Sequence, residues 1–428
     1  MQAGAALTDG AGKRTDALAV LDIGAEKTVC LIGQPDDSFG VRLLGTGFGV
    51  SGGLKGGAIV DLEATETGIR SAVEKAERAA GVTVRSVAVN VSSRSLQSRH
   101  LNLSMDFANG EITDRAKSKL TRTAFARLDA PHHAVIHAVP LAWSVDAAEG
   151  IRDPRGMYGR RLGVDMHFVL AELGALRNLA HCIERCHLRL SGVTASPYAA
   201  GLGVLTEDEL DLGVTLIDLG AGVTTQAVFR DQSLLSVSAL GVGGRTLTHD
   251  IARGLSTPVE AAERIKSIYG SALLGADDHE SLVPCPPMGA DDELTHEPRS
   301  RLTTIVRARM EETFEILRDR LRRSGLEDYS GRRVVLTGGA AQLNGVRELA
   351  ELVFEKSVRV GRPSYMQGLK STLSEPAFAV AMGMLRVGFA NDGDLVAGAP
   401  DLSGRTRTAS RTPAGVMGRT ARWLVENF

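Results

Sequence analysis

The chain has 428 residues, of which 43% are hydrophobic and 23% are charged, so it is long and apolar enough to bury the cores of several domains. Its formal net charge is −2, which provides no overall field for nucleic acid or for an anionic surface. We therefore expect no nucleic-acid partner, and attraction to any other anionic partner must be local.

Residues 1–16 contain Lys13 and Arg14 but no apolar core of signal-peptide length, and we expect them to be disordered. No window of the chain approaches the roughly 20 uninterrupted apolar residues that a membrane-spanning helix requires. The cysteines lie in apolar or scattered contexts, which is typical of free thiols in a reducing compartment. We therefore expect the protein to be made and kept in the cytoplasm. The cysteines are Cys30, Cys182, Cys186 and Cys285.

The first predicted element, at residues 17–33, is an apolar run that ends in a carboxylate, a turn that carries a glycine, and a second β-prone run. Residues 213–229 repeat this design, with a turn that carries Gly220 and Gly222. A unit of strand, carboxylate, glycine turn and strand that occurs twice predicts two related halves facing each other. Aligning the two copies places Asp22 on Asp218, Gly24 on Gly220, Ala25 on Ala221, and Thr28 on Thr224.

The chemistry of the two turns predicts a site for a phosphate and a metal ion. Glycines let backbone N–H groups approach an anion closely, and Asp22 and Asp218 are suited to hold a hydrated cation. A nucleotide would then lie between the two halves, gripped by both turns.

The glycine-rich tract at residues 45–57 invites comparison with a nucleotide-binding loop. No Gly-Lys-Ser/Thr closes it as in a P-loop, and no helix opens directly from it as in a dinucleotide fold. We interpret this tract as a flexible loop between two strands. A helix from Ala64 to Ala80 follows, and Gly81 ends it.

Residues 84–168 are predicted to form a compact α+β insert without a catalytic cluster. Valines alternate at residues 84–91 in strand fashion, and Thr113 or Asp114 caps a helix that runs towards Leu128. Strand patterns return at residues 134–139 and 162–170.

Cys182 and Cys186 are four residues apart in a predicted helix, flanked by His181 and His187. The two sulfurs share one helical face and are suited to bind a metal, but the histidines point elsewhere and no second ligand pair has suitable spacing. We favour two buried structural thiols over a zinc site.

The second half contains a predicted helix that begins at Thr246 or Thr248, three further helices and a third glycine turn. Glu263 and Lys266 share a face of the helix at residues 258–269, where the simplest interpretation is a surface ion pair. Residues 272–298 are predicted to form an exposed loop, residues 301–323 a long amphipathic helix, and residues 376–388 a closing apolar helix.

The third glycine turn follows a predicted strand at residues 333–337. Gly338 and Gly339 leave room for a flat ring against the backbone, and Gln342 and Asn344 can make polar contacts nearby.

Residues 391–413 have the composition of a disordered linker, and residues 415–428 form a basic amphipathic pattern behind it. Such a helix on a tether is typical of binding to an anionic membrane surface; the alternative is a helix that docks on its own body or on a partner. One short helix binds a bilayer weakly, so stable attachment requires several copies and hence self-assembly. The apolar stripe is Met417, Ala421, Leu424, Val425 and Phe428, with Trp423 on its flank and Arg419, Arg422 and Glu426 opposite.

Two Asp-x-Gly turns, a later Thr-Gly-Gly-Ala turn and Ala/Gly-rich helices resemble the actin/Hsp70/sugar-kinase ATPase superfamily. Within it, the chain resembles the FtsA family of bacterial cell-division proteins over nearly its whole length. The segments that carry this resemblance are residues 52–62, 134–140, 153–162, 204–210, 243–252 and 262–266 and the terminal amphipathic helix.

The resemblance implies an α/β, actin-like fold of two lobes around an ATP cleft. Its layout would be 1–16 as a disordered start, 17–83 with 169–200 and 373–390 as the first lobe, 84–168 as the insert, 201–243 and 331–372 as the second-lobe core, 244–330 as its subdomain, 391–414 as the linker, and 415–428 as the membrane helix.

The resemblance also implies roles for individual residues, with ATP and Mg²⁺ as cofactors. The first phosphate turn would be Asp22, Gly24, Ala25, Lys27 and Thr28, and the second Asp218, Gly220, Gly222, Thr224 and Thr225, with Asp22 and Asp218 holding Mg²⁺ through water. Gly338, Gly339 and Gln342 would face the adenosine, and Glu263 and Lys266 would flank the ribose and base.

The partners that the resemblance implies are other copies of the chain in a filament, later division proteins and the tubulin-like division protein FtsZ. The C-terminal tail of FtsZ would bind the 244–330 subdomain, where Arg301 lies in the corresponding stretch. The protein would act at the inner face of the cell membrane at the division site.

The sequence departs from the family pattern at Ala25, Ala221 and Val223, where a hydroxyl, a glycine and a threonine are usual. Backbone amides can still hold phosphates there, but no residue is a convincing candidate to position a hydrolytic water. We therefore expect ATP binding and leave turnover and its catalytic residue open.

Three alternatives remain at this point. A small-molecule kinase of the superfamily would need a catalytic acid and has no use for the basic tail. A chaperone of the Hsp70 kind would need a further substrate-binding domain. Another membrane platform, such as a pilus-assembly protein, is compatible with the tail.

Overall fold

The computed structural model describes residues 7–9, 14–15, 17–36, 40–289, 293–363 and 371–389, and it has the expected α/β architecture. The strands are β1 (Leu7–Asp9), β2 (Arg14–Thr15), β3 (Leu18–Ile23), β4 (Lys27–Asp36), β5 (Gly40–Val50), β6 (Leu54–Lys55), β7 (Ala58–Ile59), β8 (Val82–Thr83), β9 (Ser86–Val91), β10 (Gln97–Glu111), β11 (His133–Val145), β12 (Ala148–Ile151), β13 (Tyr158–Glu172), β14 (Arg189–Ala195), β15 (Val214–Leu219), β16 (Thr224–Arg230), β17 (Ser233–Leu240), β18 (Leu282–Cys285), β19 (Thr295–Pro298), β20 (Arg333–Thr337) and β21 (Ser357–Val360).

The helices alternate with the strands along the chain. The α-helices are α1 (Leu62–Ala80), α2 (Asp114–Arg127), α3 (Leu173–Arg185), α4 (Ser196–Val204), α5 (Glu207–Leu212), α6 (Gly244–Gly254), α7 (Val259–Tyr269), α8 (Arg299–Arg323), α9 (Val346–Phe354) and α10 (Ala379–Phe389). Short 3-10 helices lie at Gly339–Gln342, Ser371–Ser374 and Pro376–Phe378.

The two main sheets have the same topology, which confirms the predicted duplication. The first has the strand order β5-β4-β3-β9-β14 and the second β17-β16-β15-β20-β21. In each sheet the first three strands are antiparallel and the last two run parallel to the third. The two predicted hairpins, β3–β4 and β15–β16, therefore occupy equivalent places, and their turns emerge at equivalent edges.

The glycine-rich tract is not the flexible loop that we expected, because residues 45–50 are part of β5 and pair with β4. Its alternate glycines face α1, and an added Cβ at Gly47 would lie 1.8 Å from the carbonyl oxygen of Ala72. The glycines here allow a helix to pack directly on the backbone of a strand, which requires the absence of a side chain rather than mobility.

The insert is a four-stranded antiparallel sheet, β10-β13-β11-β12, covered on one face by α2. Its core includes Leu120 of α2, Trp143 and Phe168. We expected the insert to begin at residue 84, but β9 pairs with β3 and belongs to the first-lobe sheet. Likewise, residues 7–9 and 14–15 form short paired strands where we expected disorder.

The insert is joined to the second lobe by a polar contact with β17. The Val237 amide donates to Oγ of Ser98 at 2.7 Å, and Nδ1 of His167 lies 2.8 Å from the Leu234 carbonyl oxygen. A carbonyl oxygen only accepts, so Nδ1 of His167 carries the proton and donates it. His167 and the neighbouring His137 are fully buried in this region.

The second-lobe subdomain consists of α6, α7 and α8 with the hairpin β18–β19. We expected an exposed loop at 272–298, but Val283 and Cys285 of the hairpin point into the core because alternate residues of a strand share a face. The chain then returns through β20 and β21 and reaches the first lobe again in α10.

Within these described residues, no helix is both long and apolar enough to cross a membrane. The predicted linker from residue 391 and the terminal helix at residues 415–428 lie outside them.

Candidate functional site

A cleft of about 530 Å³ lies between the two lobes, where the turns of the two hairpins face each other. The turns approach closely, since an added Cβ at Gly222 would lie 3.0 Å from Cβ of Ala25. Most of the predicted nucleotide-binding residues line this cleft: Asp22, Gly24, Ala25, Lys27, Asp218, Gly220, Gly222, Glu263, Lys266, Gly338, Gly339 and Gln342.

The first turn is fixed by one hydrogen bond within the hairpin and by one bond to a buried side chain. The Gly24 amide donates to the Lys27 carbonyl oxygen at 3.0 Å, which closes the hairpin. Ile23 donates its amide to Oδ1 of the buried Asn90 at 2.7 Å, and this bond fixes the end of β3 beside the cleft. Asp22, which precedes Ile23 on β3, is thereby placed in the lining of the cleft.

Asp22 and Asp218 form a carboxylate pair at the bottom of the cleft, with Lys27 close to both. Burial raises the pKa of Asp218 to about 7, and the charge of Asp22 adds to this effect while Lys27 opposes it. Burial raises the pKa of Asp22 to about 6, again against the effect of Lys27. Burial also lowers the pKa of Lys27 to about 8, although both carboxylates favour its charged form. Burial thus disfavours the charged forms of both carboxyl groups. A bound cation would stabilise those charged forms.

The donor set suits a cation that keeps part of its water shell. Among the residues that the structure describes, no cluster of three or more His, Cys, Asp or Glu side chains is placed to hold a metal. Mg²⁺ is commonly held by one or two carboxylates together with waters and substrate phosphates. The Asp22 and Asp218 pair fits that ion.

Glu263 and Lys266 form the predicted ion pair, but on the wall of the cleft rather than on an open surface. Nζ of Lys266 lies 2.6 Å from Oε2 of Glu263, and it donates to Oγ1 of Thr248 at 2.9 Å and to the Gly244 carbonyl oxygen at 3.2 Å. The Lys266 side chain is only 11% exposed, whereas that of Glu263 is 52% exposed. Lys266 is therefore held in place, and the Glu263 carboxylate remains accessible from the cleft.

The third glycine turn lies directly behind the carboxylate pair. Gly338 has a φ of 86°, and an added Cβ would lie 2.4 Å from Oδ1 of Asp218. Only glycine fits both the backbone conformation and the space. Gly339 and Gln342 follow in a 3-10 helix on the same wall, with Asn344 beyond it.

Thr28, Thr224 and Thr225 are not among the residues that line the cleft, contrary to the expectation that their hydroxyls face the phosphates. They lie on β4 and β16 and are buried. Oγ1 of Thr28 is bonded to Oγ of Ser51 at 2.7 Å, and Oγ1 of Thr224 donates to the Val242 carbonyl oxygen at 2.8 Å. The Thr28 and Thr224 hydroxyls thus bond inside the lobes, and Oγ1 of Thr225 is buried without a hydrogen-bond partner.

The remaining predicted residues lie away from the cleft or outside the described residues. Arg301 is on α8, where its side chain is 54% exposed and paired with Glu297 at 2.9 Å. Cys182 is buried and Cys186 is partly buried, and both are free thiols. The predicted membrane residues, Met417 to Phe428, are outside the part that the structure describes.

Sequence reasoning missed Glu26, Asn90 and Arg245, which line the cleft, and Phe378, whose ring contacts Nζ of Lys27. Arg245 and Glu26 line the cleft and are paired at 2.8 Å although they are 219 residues apart. A pairing across that distance leaves no local pattern. The available signal was the placement of Arg245 directly after the glycine pair at 243–244.

Comparison with known proteins identifies the family. A sequence model described as "Cell division protein FtsA" matches residues 215–383, and one described as "SHS2 domain inserted in FTSA" matches residues 93–170. The chain is 43% identical to the cell division protein FtsA of Rhizobium meliloti over 385 residues, which cover 87% of each chain. It is 41% identical to that of Agrobacterium fabrum over 428 residues, 97% of this chain and 96% of the relative.

The chain belongs to the FtsA family of cell division proteins. The resemblance expected from the sequence is thus confirmed. The insert is confirmed too, and the match to the insert model begins at residue 93. More distant FtsA proteins also align over almost the full length, as in Escherichia coli K12 at 28% identity over 97% of this chain.

Solved structures confirm an actin-like fold for this chain. A PilM-PilN type IV pilus biogenesis complex has a chain that matches 87% of this one with a TM-score of 0.63 and 18% identity, covering 98% of its own length. MreB5 of Spiroplasma citri bound to ADP matches 86% of this chain and 95% of its own length with a TM-score of 0.53 and 11% identity.

Proposed function

We propose that this FtsA-family chain binds Mg-ATP in the interlobe cleft, polymerises on the inner face of the cytoplasmic membrane and tethers FtsZ filaments there. In this role it recruits later division proteins to the division site. The observation that carries the proposal is the carboxylate pair, Asp22 and Asp218, placed between two equivalent glycine turns in a chain of a cell-division family.

The nucleotide part of the proposal is supported by the composition of the cleft walls. Backbone N–H groups of the two turns would hold the phosphates, and Lys27 would add positive charge. Asp22 and Asp218 would hold Mg²⁺ through water, which neutralises part of the phosphate charge. That the similarly folded MreB5 was solved bound to ADP adds support for a nucleotide ligand.

The adenosine would lie between α7 and the third glycine turn. Glu263 offers an accessible carboxylate for the ribose hydroxyls, with Lys266 fixed beside it. Gly338 and Gly339 present backbone without side chains, which allows the flat base to approach closely, and Gln342 offers an amide beside it.

We propose weak or no hydrolysis of the bound ATP. Ala25 and Ala221 offer no hydroxyl at the turns, and the nearby threonines, Thr28, Thr224 and Thr225, are buried and do not line the cleft. The nucleotide would then serve mainly to set the relative position of the lobes for assembly.

Membrane attachment and FtsZ binding are proposed from membership of the FtsA family and from the sequence pattern. The amphipathic pattern at residues 415–428 supports attachment to an anionic membrane. For the FtsZ tail we propose the 244–330 subdomain, where Arg301 offers an exposed guanidinium on α8. The insert would serve self-association and contacts with later division proteins.

Recruitment of FtsZ to vesicles tests this proposal. Purified full-length chain is mixed with vesicles that contain anionic lipid, with fluorescent FtsZ and with or without Mg-ATP. We expect FtsZ on the vesicles only when the chain is present, and more of it with ATP. A chain without residues 415–428 and an Arg301→Glu variant are the matched controls, which should lose membrane and FtsZ binding respectively. FtsZ that stays in solution with the full-length chain and ATP would contradict the proposal.

A further inference from the structure

Arg245 at the start of α6 is bound to the second turn through its backbone. Its amide donates to the Ala221 carbonyl oxygen at 2.8 Å, and the Gly244 amide donates to that of Gly220 at 3.0 Å. At Gly243, an added Cβ would lie 2.6 Å from both of these acceptor oxygens, so the contact requires glycine. These contacts attach the start of α6 to the second turn.

The side chain of Arg245 reaches across the cleft and contacts two separate segments of the first lobe. Nη2 donates to the Ala25 carbonyl oxygen at 2.8 Å, and Nε donates to Oε1 of Glu26 at 2.8 Å. Nη1 donates to the Leu54 carbonyl oxygen at 3.4 Å. These acceptors meet one guanidinium only while the two lobes are close together, so the contact is a latch between them.

The latch is located at the phosphate end of the cleft. Arg245 contacts Ala25 of the first turn with its side chain and Ala221 of the second turn with its backbone, and these are the turns that face each other. The Arg245 side chain is 38% exposed and that of Glu26 is 58% exposed, so the guanidinium remains accessible to a solute.

The bonds of the latch are of the kind that an anion can replace. Two of its three acceptors are neutral carbonyl oxygens, and the third is a largely exposed carboxylate. A guanidinium presents five N–H donors in a fixed plane and bonds more strongly to phosphate oxygens than to neutral acceptors. Lys27 also lines the cleft, but its Nζ packs on the face of the Phe378 ring, 3.3 Å from the ring centre.

We propose that Arg245 determines specificity for the terminal phosphates and couples their binding to closure of the lobes. This inference rests on the proposed function and adds a residue to its site. A nucleoside di- or triphosphate in the cleft places its outer phosphate beside the guanidinium. A nucleoside monophosphate is too short to do so. Arg245 then bonds to the phosphate and to the first turn together, and the closed arrangement of the lobes is stabilised by the polyphosphate.

Nucleotide affinities of the full-length chain test this inference. Dissociation constants for ATP, ADP and AMP with Mg²⁺ are measured for the wild type, Arg245→Ala, Arg245→Lys and Glu26→Gln. Arg245→Ala should weaken ATP binding by about 10-fold or more and AMP binding by less than about 2-fold, because only the polyphosphate meets the guanidinium. Arg245→Lys should restore part of the ATP affinity, and Glu26→Gln should change it by less than about 3-fold, since the amide still accepts a hydrogen bond.

Arg253→Ala is the matched control, because Arg253 is an exposed arginine in the last turn of the same helix, and we expect it to leave all three affinities unchanged. Hydrogen exchange around residues 25–27 and 54 supplies a second readout: ATP should slow it in the wild type and not in Arg245→Ala. An equal loss of ATP and AMP affinity in Arg245→Ala would overturn the inference and leave the proposed function standing. Absence of ATP binding in the wild type would overturn the proposed function, and the inference with it.

Discussion

Nζ of Lys27 lies 3.3 Å from the centre of the Phe378 ring, so the ammonium group of the first phosphate turn packs on an aromatic face. Phe378 ends the short 3-10 helix that leads into α10, and its ring meets Phe48 of β5 edge-on at 5.6 Å. The returning C-terminal segment thereby positions a side chain at the first turn. Phe378 acts on the cleft through Lys27.

Replacement of the aromatic ring should weaken nucleotide binding. In Phe378→Leu the apolar volume is largely kept, but the ammonium loses a cation–π contact of about 0.5–2 kcal/mol. We expect a roughly 3- to 10-fold weaker affinity for Mg-ATP, measured by calorimetry. The matched variant Phe48→Leu removes the neighbouring ring and should have a smaller effect. Equal affinities of Phe378→Leu and the wild type would argue against the positioning role.

The pH dependence of Mg-ATP binding should follow the carboxylate pair and Lys27. The pKa values of Asp22 and Asp218 are raised to about 6 and about 7, so both side chains take up protons as the pH falls through that range. Protonated carboxyl groups no longer attract the cation, and affinity should fall below pH 7. The pKa of Lys27 is lowered to about 8, so its charge is lost above that pH and affinity should fall there too. The expected profile is bell-shaped.

Asp22→Asn is the control for this profile, because ATP itself also titrates near neutral pH. The variant should bind more weakly at pH 7.5 and should lose less affinity than the wild type between pH 7.5 and pH 6. Parallel profiles for the two proteins would assign the whole pH dependence to the ligand.

Acid should weaken the contact of the insert with the body of the protein. His137 and His167 are buried, and burial lowers the pKa of each to about 3, below its ordinary value of 6.5. Both are neutral in the folded protein, so their contribution to stability is fully present above pH 6.5 and is lost as the pH falls towards 3. Each proton taken up on unfolding removes about 1.4 kcal/mol of stability per pH unit within that window.

Urea unfolding at pH 7.5 and pH 5.5 measures this effect. Nε2 of His137 accepts the Ala195 amide at 2.8 Å, and the amide oxygen of His137→Gln can replace that acceptor without titrating. We expect the variant to be less stable at pH 7.5 but to lose less stability on acidification than the wild type. His181→Gln, at an exposed position on α3, should behave as the wild type does. A variant with the same acid sensitivity as the wild type would refute the assignment to His137.

Removal of residues 415–428 should abolish co-sedimentation with anionic liposomes and leave ATP binding intact. The segment combines an apolar stripe with arginines, which attract an anionic surface. Glu426→Gln is a suitable control, since it leaves the apolar stripe unchanged and should still bind. Lipid binding that survives the deletion would refute the assignment of this segment.

The elements that local sequence determines could be predicted well. The hairpins β3–β4 and β15–β16 were readable because a buried strand, a carboxylate and a glycine turn follow one another directly. Their equivalence implied the facing halves that the two sheets show. Gly81 is also a local signal, and α1 ends where Gly81 was expected to end it, although it begins at Leu62 rather than at the predicted Ala64.

The predictions that failed depend on which segment packs against a strand, or on contacts between residues that are far apart in the sequence. The glycines of β5 looked like a loop because the sequence does not show α1 packing on them. Thr28 and Thr224 were expected to face the cleft, yet their hydroxyls bond to Ser51 and Val242 on neighbouring segments. Arg245 and Phe378 reach the site through contacts between distant segments, which no local pattern records.

The most direct test of the account is Mg-ATP binding by the full-length chain and by Asp218→Ala, measured by calorimetry at pH 7.5. Asp218 is 7% exposed and lies on the cleft floor against Gly338. We predict one ATP bound per chain in the wild type, at least about 10-fold weaker binding in the variant, and little effect of Mg²⁺ on the residual affinity. Equal affinity of the two proteins for Mg-ATP, or no binding to the wild type, would contradict a nucleotide site between these lobes.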